Sequence, residues 1–571
     1  MYVAGWSKKE LAIEPRGYAM HGYGNPNHRA YDVRNPLQAR TFYIAEQEGA
    51  PLIYTCLDLG YVTYAMREGV VAALQKEWGD SWDETRLVLT CTHTHSGPGG
   101  CANEAMYNLV TPGFRQDQVD IIVATTVASI LAAKAAAAPT ELFFSSAAIA
   151  DEVPVAWNRS LDAYNRNPDV TRYSELETHL ALDRTMHLIE FRRAGKVEAL
   201  LSLFGVHATC LGSSLSNHDG DNKGYAALYA EQALAAEGAE APVAIFAQGT
   251  CGDVSPHYIG PGDIKRRKAL TGEKEYAYAQ ENGRKQSDHA LAMMAKDTAL
   301  PITGALDGVL TYVDMGDQHA SPEFANGRDN AFTTPPCHGV SFFRGTRVDG
   351  PGMHSFLGKG AAFLARRAKR RRLNSSNPAV REYYQKLYAS QGPKDIVMED
   401  ERKRVLDSRL TKVPMPGFVD PLVAEIKRQA SAGALNKSPL VPSVLPLQMV
   451  RLGNITLTCA PGEFTTVAGR RLLAAIAKQL PTDENERHVI CTYCNEYMGY
   501  VTTYEEYQEQ AYEGGHTVYG QWTLAAFQTC YSALAKALNA PVEERQYDQQ
   551  TRPPAVPVEE LRARSNLAPR K

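Results

Sequence analysis

The sequence predicts a large, layered, mixed α/β protein with long loops. Two observations carry that expectation. Short β-branched or aromatic runs alternate along the chain with longer segments whose apolar residues recur every three or four positions. The chain is also 571 residues long, 44% hydrophobic and 22% charged, which is ample for an extensive core.

The strand-like runs are residues 41–44, 52–57, 87–90, 186–191, 243–247 and 455–459, each dense in Val, Ile, Leu, Phe, Tyr or Thr. The helical periodicity falls on 117–138, 224–237, 281–297, 469–480 and 523–538. Residues 255–282 and 316–356 are rich in Gly, Pro and charge and read as long loops. No internal repeat is visible. One domain over residues 1–545 is expected, with 546–571 as a polar, Pro-rich tail or docking arm.

Composition excludes several classes. A formal net charge of −4 gives no global argument for nucleic acid or an anionic membrane. Two basic clusters, 265–268 and 366–372, read best as solvated helix or loop surface. No apolar run reaches the roughly 20 residues of a bilayer span, so no transmembrane segment is expected. The first residues lack a charged region followed by an apolar one, so no signal peptide is expected either. Cys56, Cys91, Cys210, Cys251 and Cys459 lie among apolar or small residues, as buried thiols do. Cys491 and Cys494 have CxxC spacing without a matching second pair, which is weak grounds for a metal site. A reduced, cytoplasmic protein is the simplest expectation.

The chemistry concentrates in Thr92-His93-Thr94-His95-Ser96-Gly97-Pro98-Gly99-Gly100, which closes the run 87–91. A strand's period of two would put His93 and His95 on one face, and the glycines allow a sharp, open turn. Such a turn presents a metal or oxyanion site, or simply two polar residues at a strand end. Segments of the same short, polar character recur at 157–160, 205–209, 247–256, 461–466 and 495–503, the last leading into 512–516.

Together these segments resemble the neutral/alkaline, non-lysosomal ceramidase family. The likeness rests on THTHSGPGG (92–100), NRS and AYNRNP (158–168), DNKGYA (221–226), GDVSP (252–256), PGEFTTVAGRRL (461–472) and YVTTYEEY through YEGG (500–515), in family order. The resemblance implies a zinc-dependent hydrolase that cleaves the N-acyl bond of a ceramide-like lipid, with another small-molecule amide or ester, or a non-catalytic binding protein on the same fold, as the alternatives. It implies Zn²⁺ held by His93, His207, Glu463 and Tyr500, a donor set that suits the ion. It makes Ser255 the nucleophile and places His95, Arg159 and Tyr512 on the scissile amide. Two mechanisms stay open at this point: attack by Ser255 with a zinc-bound hydroxide as base, or direct attack by that hydroxide. An ion pair is the alternative for Arg159. Asp253 is expected to orient the Ser255 loop or cap a turn, and Asp221, Asn222 and Lys223 to wall the site. His516 could support the site or lie on the surface, and Cys251 is read as a packed thiol.

Departures from the family pattern are also expected to matter. The sequence beyond residue 525 is less than half of the roughly 100 residues that a C-terminal β-sandwich module needs, so that module is expected to be absent. Gly249-Thr250-Cys251, His218 and Asp219 depart from the family's usual residues near the pocket, where specificity could shift.

Overall fold

The computed structural model describes all residues except 48, 109–112, 259–269, 297, 347, 351, 414–420, 482–485 and 566–571. The basic cluster 265–268 therefore lies outside the described residues.

The first sheet is built from β1 (Tyr2–Glu10), β2 (Gln38–Ala45), β3 (Leu52–Leu57), β4 (Leu87–Cys91), β5 (Ala138–Ala148), β6 (Thr185–Arg193), β7 (Lys196–Leu203) and β8 (Val243–Ala247). Their order is β8-β7-β6-β5-β1-β2-β3-β4, with the short strand Leu300–Pro301 also on β5. The pairs β3/β4 and β7/β8 are parallel. A second sheet runs β9 (Leu306–Asp314), β10 (Val444–Leu452), β11 (Ile455–Cys459) and β12 (Arg487–Cys491), with β11 and β12 parallel.

The two sheets pack face to face. Strand alternation sends Trp6, Phe42, Ile44, Ile189, Phe191 and Ile245 from the first toward Val450, Leu452, Leu457 and Val489 of the second, forming one buried apolar layer. Helices cover both outer faces. On the first sheet lie α1 (Tyr64–Trp78), α2 (Gln116–Ala135), α3 (Asp221–Ala236) and α4 (Glu273–Ala295), through residues such as Met66, Ile122, Leu234 and Met293. On the second sheet, Leu472 and Ile476 of one helix and Phe527, Tyr531 and Leu534 of another pack against Leu445, Leu447 and Met449. The layered α/β architecture expected from the sequence is therefore present, as helix, sheet, sheet, helix.

Outside these layers, α5 (Ser355–Leu373) and α6 (Pro378–Gln391) form an outer helical pair, and α7 (Thr466–Ala477) and α8 (Thr523–Asn539) are the helices on the second sheet. Where 255–282 reads as loop, α4 already begins at Glu273, because its first turn is charged and carries no apolar stripe. By length and composition α2 could cross a bilayer, but Val119, Ile122, Ile130 and Ala133 are buried against the protein, as in a core helix. Its approach depends on Gly5 in β1, where a Cβ would sit 2.1 Å from the Ala133 carbonyl oxygen. Near the C-terminus the helix Val558–Ser565 docks on the body. Glu560 accepts hydrogen bonds from the backbone of Lys437 and Ser438, and the buried Arg564 donates to the Asn103 carbonyl. The stretch 366–372 lies on α5, where Arg366 and Arg371 are exposed.

Candidate active site

Five of the six polar segments singled out in the sequence follow the carboxyl end of a strand in one of the parallel pairs, where α/β sheets place their ligands, and the sixth, 157–160, follows the antiparallel strand β5. The loop after β4 carries His93, that after β7 carries His207, and that after β8 carries Ser255. The loops after β11 and β12 carry Glu463 and Tyr500.

His93 lies beyond the strand and has a left-handed backbone (φ 65°). The strand's period of two therefore does not set its direction; the turn does. The ring is pinned by Nδ1–H donating to the Gly60 carbonyl at 2.5 Å. His95 comes alongside, with its Nε2 3.1 Å from His93 Nε2. The loop is held from outside: Gln248 donates through Nε2 to the Thr92 and Val206 carbonyls (2.9 and 2.7 Å), Thr94 Oγ1 donates to the Asp219 carbonyl, and the Asp219 N–H donates to that of Ser96.

His207 is fixed in the same way, its Nδ1–H donating to the Val254 carbonyl at 2.9 Å. Because a carbonyl only accepts, Nδ1 carries a proton in both rings, and both Nε2 atoms face the site, where each can bind a cation once it is unprotonated. Glu463 and Tyr500 are brought together by a two-residue parallel pairing in which they are register partners. Ligand atoms of His93, His207 and Glu463 all lie within 4.8 Å of one another, and all three residues are buried. Glu463 Oε1 is 3.6 Å from His93 Nε2, and Oε2 is 3.0 Å from His207 Nε2. Oε2 nevertheless accepts no well-aligned hydrogen bond. The Tyr500 hydroxyl is 3.3 Å from His207 Nε2, and Tyr497 donates to Glu463 Oε1 at 2.5 Å.

The electrostatics are those of a tightly coupled cluster of imidazoles and one carboxylate. Burial pushes His93 down to about 4 against the pull of Glu463. Burial and Arg159 also oppose charge on His207, but Cys251 and Glu463 win and raise it to about 10. The imidazoles hold the Glu463 carboxyl well below the usual carboxylate range, although burial alone would raise it. Two imidazole nitrogens, one under-satisfied buried carboxylate and one phenol oxygen form a donor set that fits a zinc ion.

Beside this cluster, Ser255 pairs across a short antiparallel bridge with Trp157, as Val254 does with Asn158, which delivers Arg159 to the same place. Ser255 Oγ donates to Asp349 Oδ1 at 2.7 Å. The Arg159 guanidinium is fully engaged: Nη1 to Asp349 Oδ2 (2.9 Å), Nε to Glu513 Oε1 (2.9 Å), and Nη2 to the Gly252 carbonyl (2.8 Å) and the Tyr500 hydroxyl (3.1 Å). Burial would raise Asp349, but Arg159, His257 and His207 hold it strongly below its ordinary range. Tyr512 stands beside Tyr500, ring centroids 5.3 Å apart. Arg159 and Tyr512 also line a cavity of about 640 Å³ that includes Trp157, Val348, Met353 and His354.

All eight sequence-derived site residues thus gather in one region. Asp253 ties it together by accepting from Asn158 and from the first residue of α7, Thr466. Gly252 allows the loops to touch, since a Cβ there would meet the Glu463 carbonyl oxygen at 2.8 Å. Asp221, Asn222 and Lys223 support the walls through backbone atoms: Asp221 accepts from Cys210 N and Leu211 N, Asn222 donates to His207 O, and Lys223 to Phe204 O. His516 is buried with its ring 5.3 Å from that of Tyr500. Cys251 is a buried thiol against the Tyr493 hydroxyl, and Cys491 and Cys494 are buried in the layer between the sheets. Sequence reasoning missed Asp349, Glu513, Gln248 and Tyr497. Glu513, Gln248 and Tyr497 carried a signal, because they lie inside polar segments already singled out; Asp349 did not.

The model of the neutral/alkaline non-lysosomal ceramidase N-terminal region matches residues 2–405 and 427–529. Neutral ceramidase of Pseudomonas aeruginosa is 32% identical over 550 residues, covering 95% of this chain and 73% of that protein. Neutral ceramidase of Mycobacterium tuberculosis is 30% identical over 540 residues, with coverages of 93% and 76%. Among solved structures, a ceramidase complexed with C2 superposes at a TM-score of 0.78 with 29% identity, over 97% of this chain and 77% of that one. The neutral ceramidase crystal structure from P. aeruginosa superposes at 0.75, also with 29% identity, over 97% and 76%. With the fold, the loop positions and the family match in agreement, this chain belongs to the neutral/alkaline non-lysosomal ceramidase family of hydrolases.

Proposed function

We propose that the chain is a zinc-dependent amide hydrolase that cleaves ceramide or a closely related N-acyl lipid into a fatty acid and an amine. The observation that carries this reading is the convergence of His93 Nε2, His207 Nε2 and the under-satisfied Glu463 carboxylate beside the Ser255–Asp349 pair. The names of the relatives support the substrate class.

His93, His207, Glu463 and Tyr500 would hold the ion. Bound there, zinc would supply a Lewis acid and lower the pKa of water. The protein's own groups do the positioning. Asp349 is too weak a base to take the Ser255 proton, since Arg159 and the nearby histidines keep it ionised far into acid. It aims the hydroxyl instead, and Ser255 would attack the carbonyl carbon, its proton passing to water in the site and onward to the amine that leaves as the C–N bond breaks. Arg159 holds Asp349, Glu513 and Tyr500 in one rigid set, so that its charge stands behind the reacting carbonyl. Tyr512 lines the cavity beside Arg159, and His95 stands against His93.

A second reading, a shorter and more polar N-acyl amine or ester, is favoured by Asp162, Glu175 and Glu509 in the cavity wall. The test is fatty-acid release from ceramides and from short N-acyl amines, with chelator and with zinc add-back. Chelator-sensitive release from ceramide supports the first reading, and release from short amides alone supports the second. Full activity in a metal-free chain would refute both.

A further inference from the structure

The cavity wall continues directly into α5 through His354 and Ser355. The next residues, Phe356 and Leu357, are 77% and 37% exposed, and two turns later Phe363 and Leu364 are 66% and 45% exposed. At 3.6 residues per turn these four share one face, and the buried Gly358, Ala365 and Arg372 lie on the other side of the helix. The same outward face continues as Arg367, Arg370 and Arg371. Arg371 pairs with Asp407 and Arg366 with Asp395, but those acids lie at the helix's flank. Leu176, 60% exposed, adds an apolar side chain next to Glu175 of the cavity wall.

Exposed phenylalanines of this size rarely stand unused on a water-facing helix. An apolar stripe running into a cationic one is the pattern of a helix that lies in a bilayer interface. Duplex nucleic acid would use the arginines but leave the Phe and Leu stripe without a partner. A second copy of the chain packed face to face would oppose the arginines to one another.

We propose that the outer face of α5 docks the chain on anionic lipid surfaces, with Phe356, Leu357, Phe363 and Leu364 entering the interface and Arg367 and Arg370 meeting lipid phosphates. Docking there sets the cavity mouth at the membrane, so a lipid substrate reaches Arg159 and Tyr512 without crossing water. The significance of docking rests on the lipid-amide reading above, but the docking itself does not.

The test is co-sedimentation of the full chain with phosphatidylcholine vesicles and with vesicles that also contain phosphatidylglycerol. Binding to the anionic vesicles alone is expected, weakening as salt is raised. Phe356→Ser with Phe363→Ser should abolish it, and Arg367→Glu with Arg370→Glu should weaken it by about fivefold or more per arginine. Both double variants should keep the parent's thermal midpoint and its turnover of a water-soluble short-chain amide. Sedimentation needs no turnover, so an inactive chain that still binds vesicles would fault the hydrolase reading and not this one. A parent that ignores anionic vesicles, or variants that bind them as the parent does, would overturn the proposal. Self-association or duplex DNA binding through α5 without vesicle binding would overturn it equally.

Discussion

Ser255 Oγ donates to Asp349 Oδ1 at 2.7 Å, across 94 residues of sequence. The carboxylate's other oxygen is held by Arg159 at 2.9 Å, so the serine is aimed by a group that is itself clamped. Asp349→Asn keeps the shape and removes the charge. It is expected to lower kcat about a hundredfold with a smaller change in KM, since a misaimed nucleophile is lost chiefly in the transition state. Asp349→Ala should in addition destabilise the fold by about 1–3 kcal/mol in denaturant titration, because it removes one of the two carboxylates that pair with the buried Arg159 and leaves Glu513 as the other. Normal turnover by the Asn variant would remove Asp349 from the mechanism.

Ser255→Ala should eliminate ceramide turnover while leaving the metal content of the purified protein unchanged. Metal analysis beside a fatty-acid release assay decides it. Retained turnover would shift attack to water.

The motifs around His93, His207, Ser255 and Glu463 were legible because each is a contiguous block whose residue types are unusual together. Asp349 was not, because it is a single acid in a Gly- and Pro-rich stretch, and only tertiary packing brings it to Ser255. The fold shows the same division. Strands with uninterrupted apolar runs, such as β3 and β8, stand out in the sequence. In β1 the run ends in Lys8, Lys9 and Glu10, while β10 contains Pro446, Gln448 and Arg451, so neither advertises itself. The hairpin joining β6 to β7 turns through Ala194 and Gly195, both at positive φ (50° and 77°). Alanine there hides a turn that Asn-Gly would have announced. His93 and His95 are neighbours, as the sequence predicts, but the left-handed turn at His93 and not the strand's period brings them together.

Tyr497 donates to Glu463 and so orients a carboxylate that faces the proposed cation. Tyr497→Phe is expected to weaken zinc retention about 10–100-fold against a competing chelator. His207→Ala should abolish retention altogether. Equal retention by Tyr497→Phe and the parent would show that Glu463 needs no such support.

Acid should destabilise the fold through His28 and His218. Both are buried and pushed down to about 4 by desolvation, His28 further by its neighbour His218. Above the unfolded value near 6.5, neither state is protonated and the pair adds no penalty. As pH falls from about 6.5 toward 4, the unfolded chain takes up protons that the folded chain refuses, so stability declines by on the order of 3 kcal/mol per histidine. A variant with His28→Gln and His218→Gln should show a shallower loss of thermal midpoint across that window. An unchanged slope would assign the acid limb to other groups.

Two of the converging residues hang from the first sheet and two from the second, and no single sheet carries a complete set. The apolar layer between the sheets therefore acts as a bearing whose alignment sets the catalytic distances. A slip of one sheet on the other by about 1 Å is enough to cost roughly a hundredfold in rate. Thinning that layer, for example at Phe42 where it stacks on Phe191 at 4.3 Å, would detune the enzyme while the chain stayed folded. Precision at the catalytic mouth is in this sense a mechanical property of residues that never see the substrate.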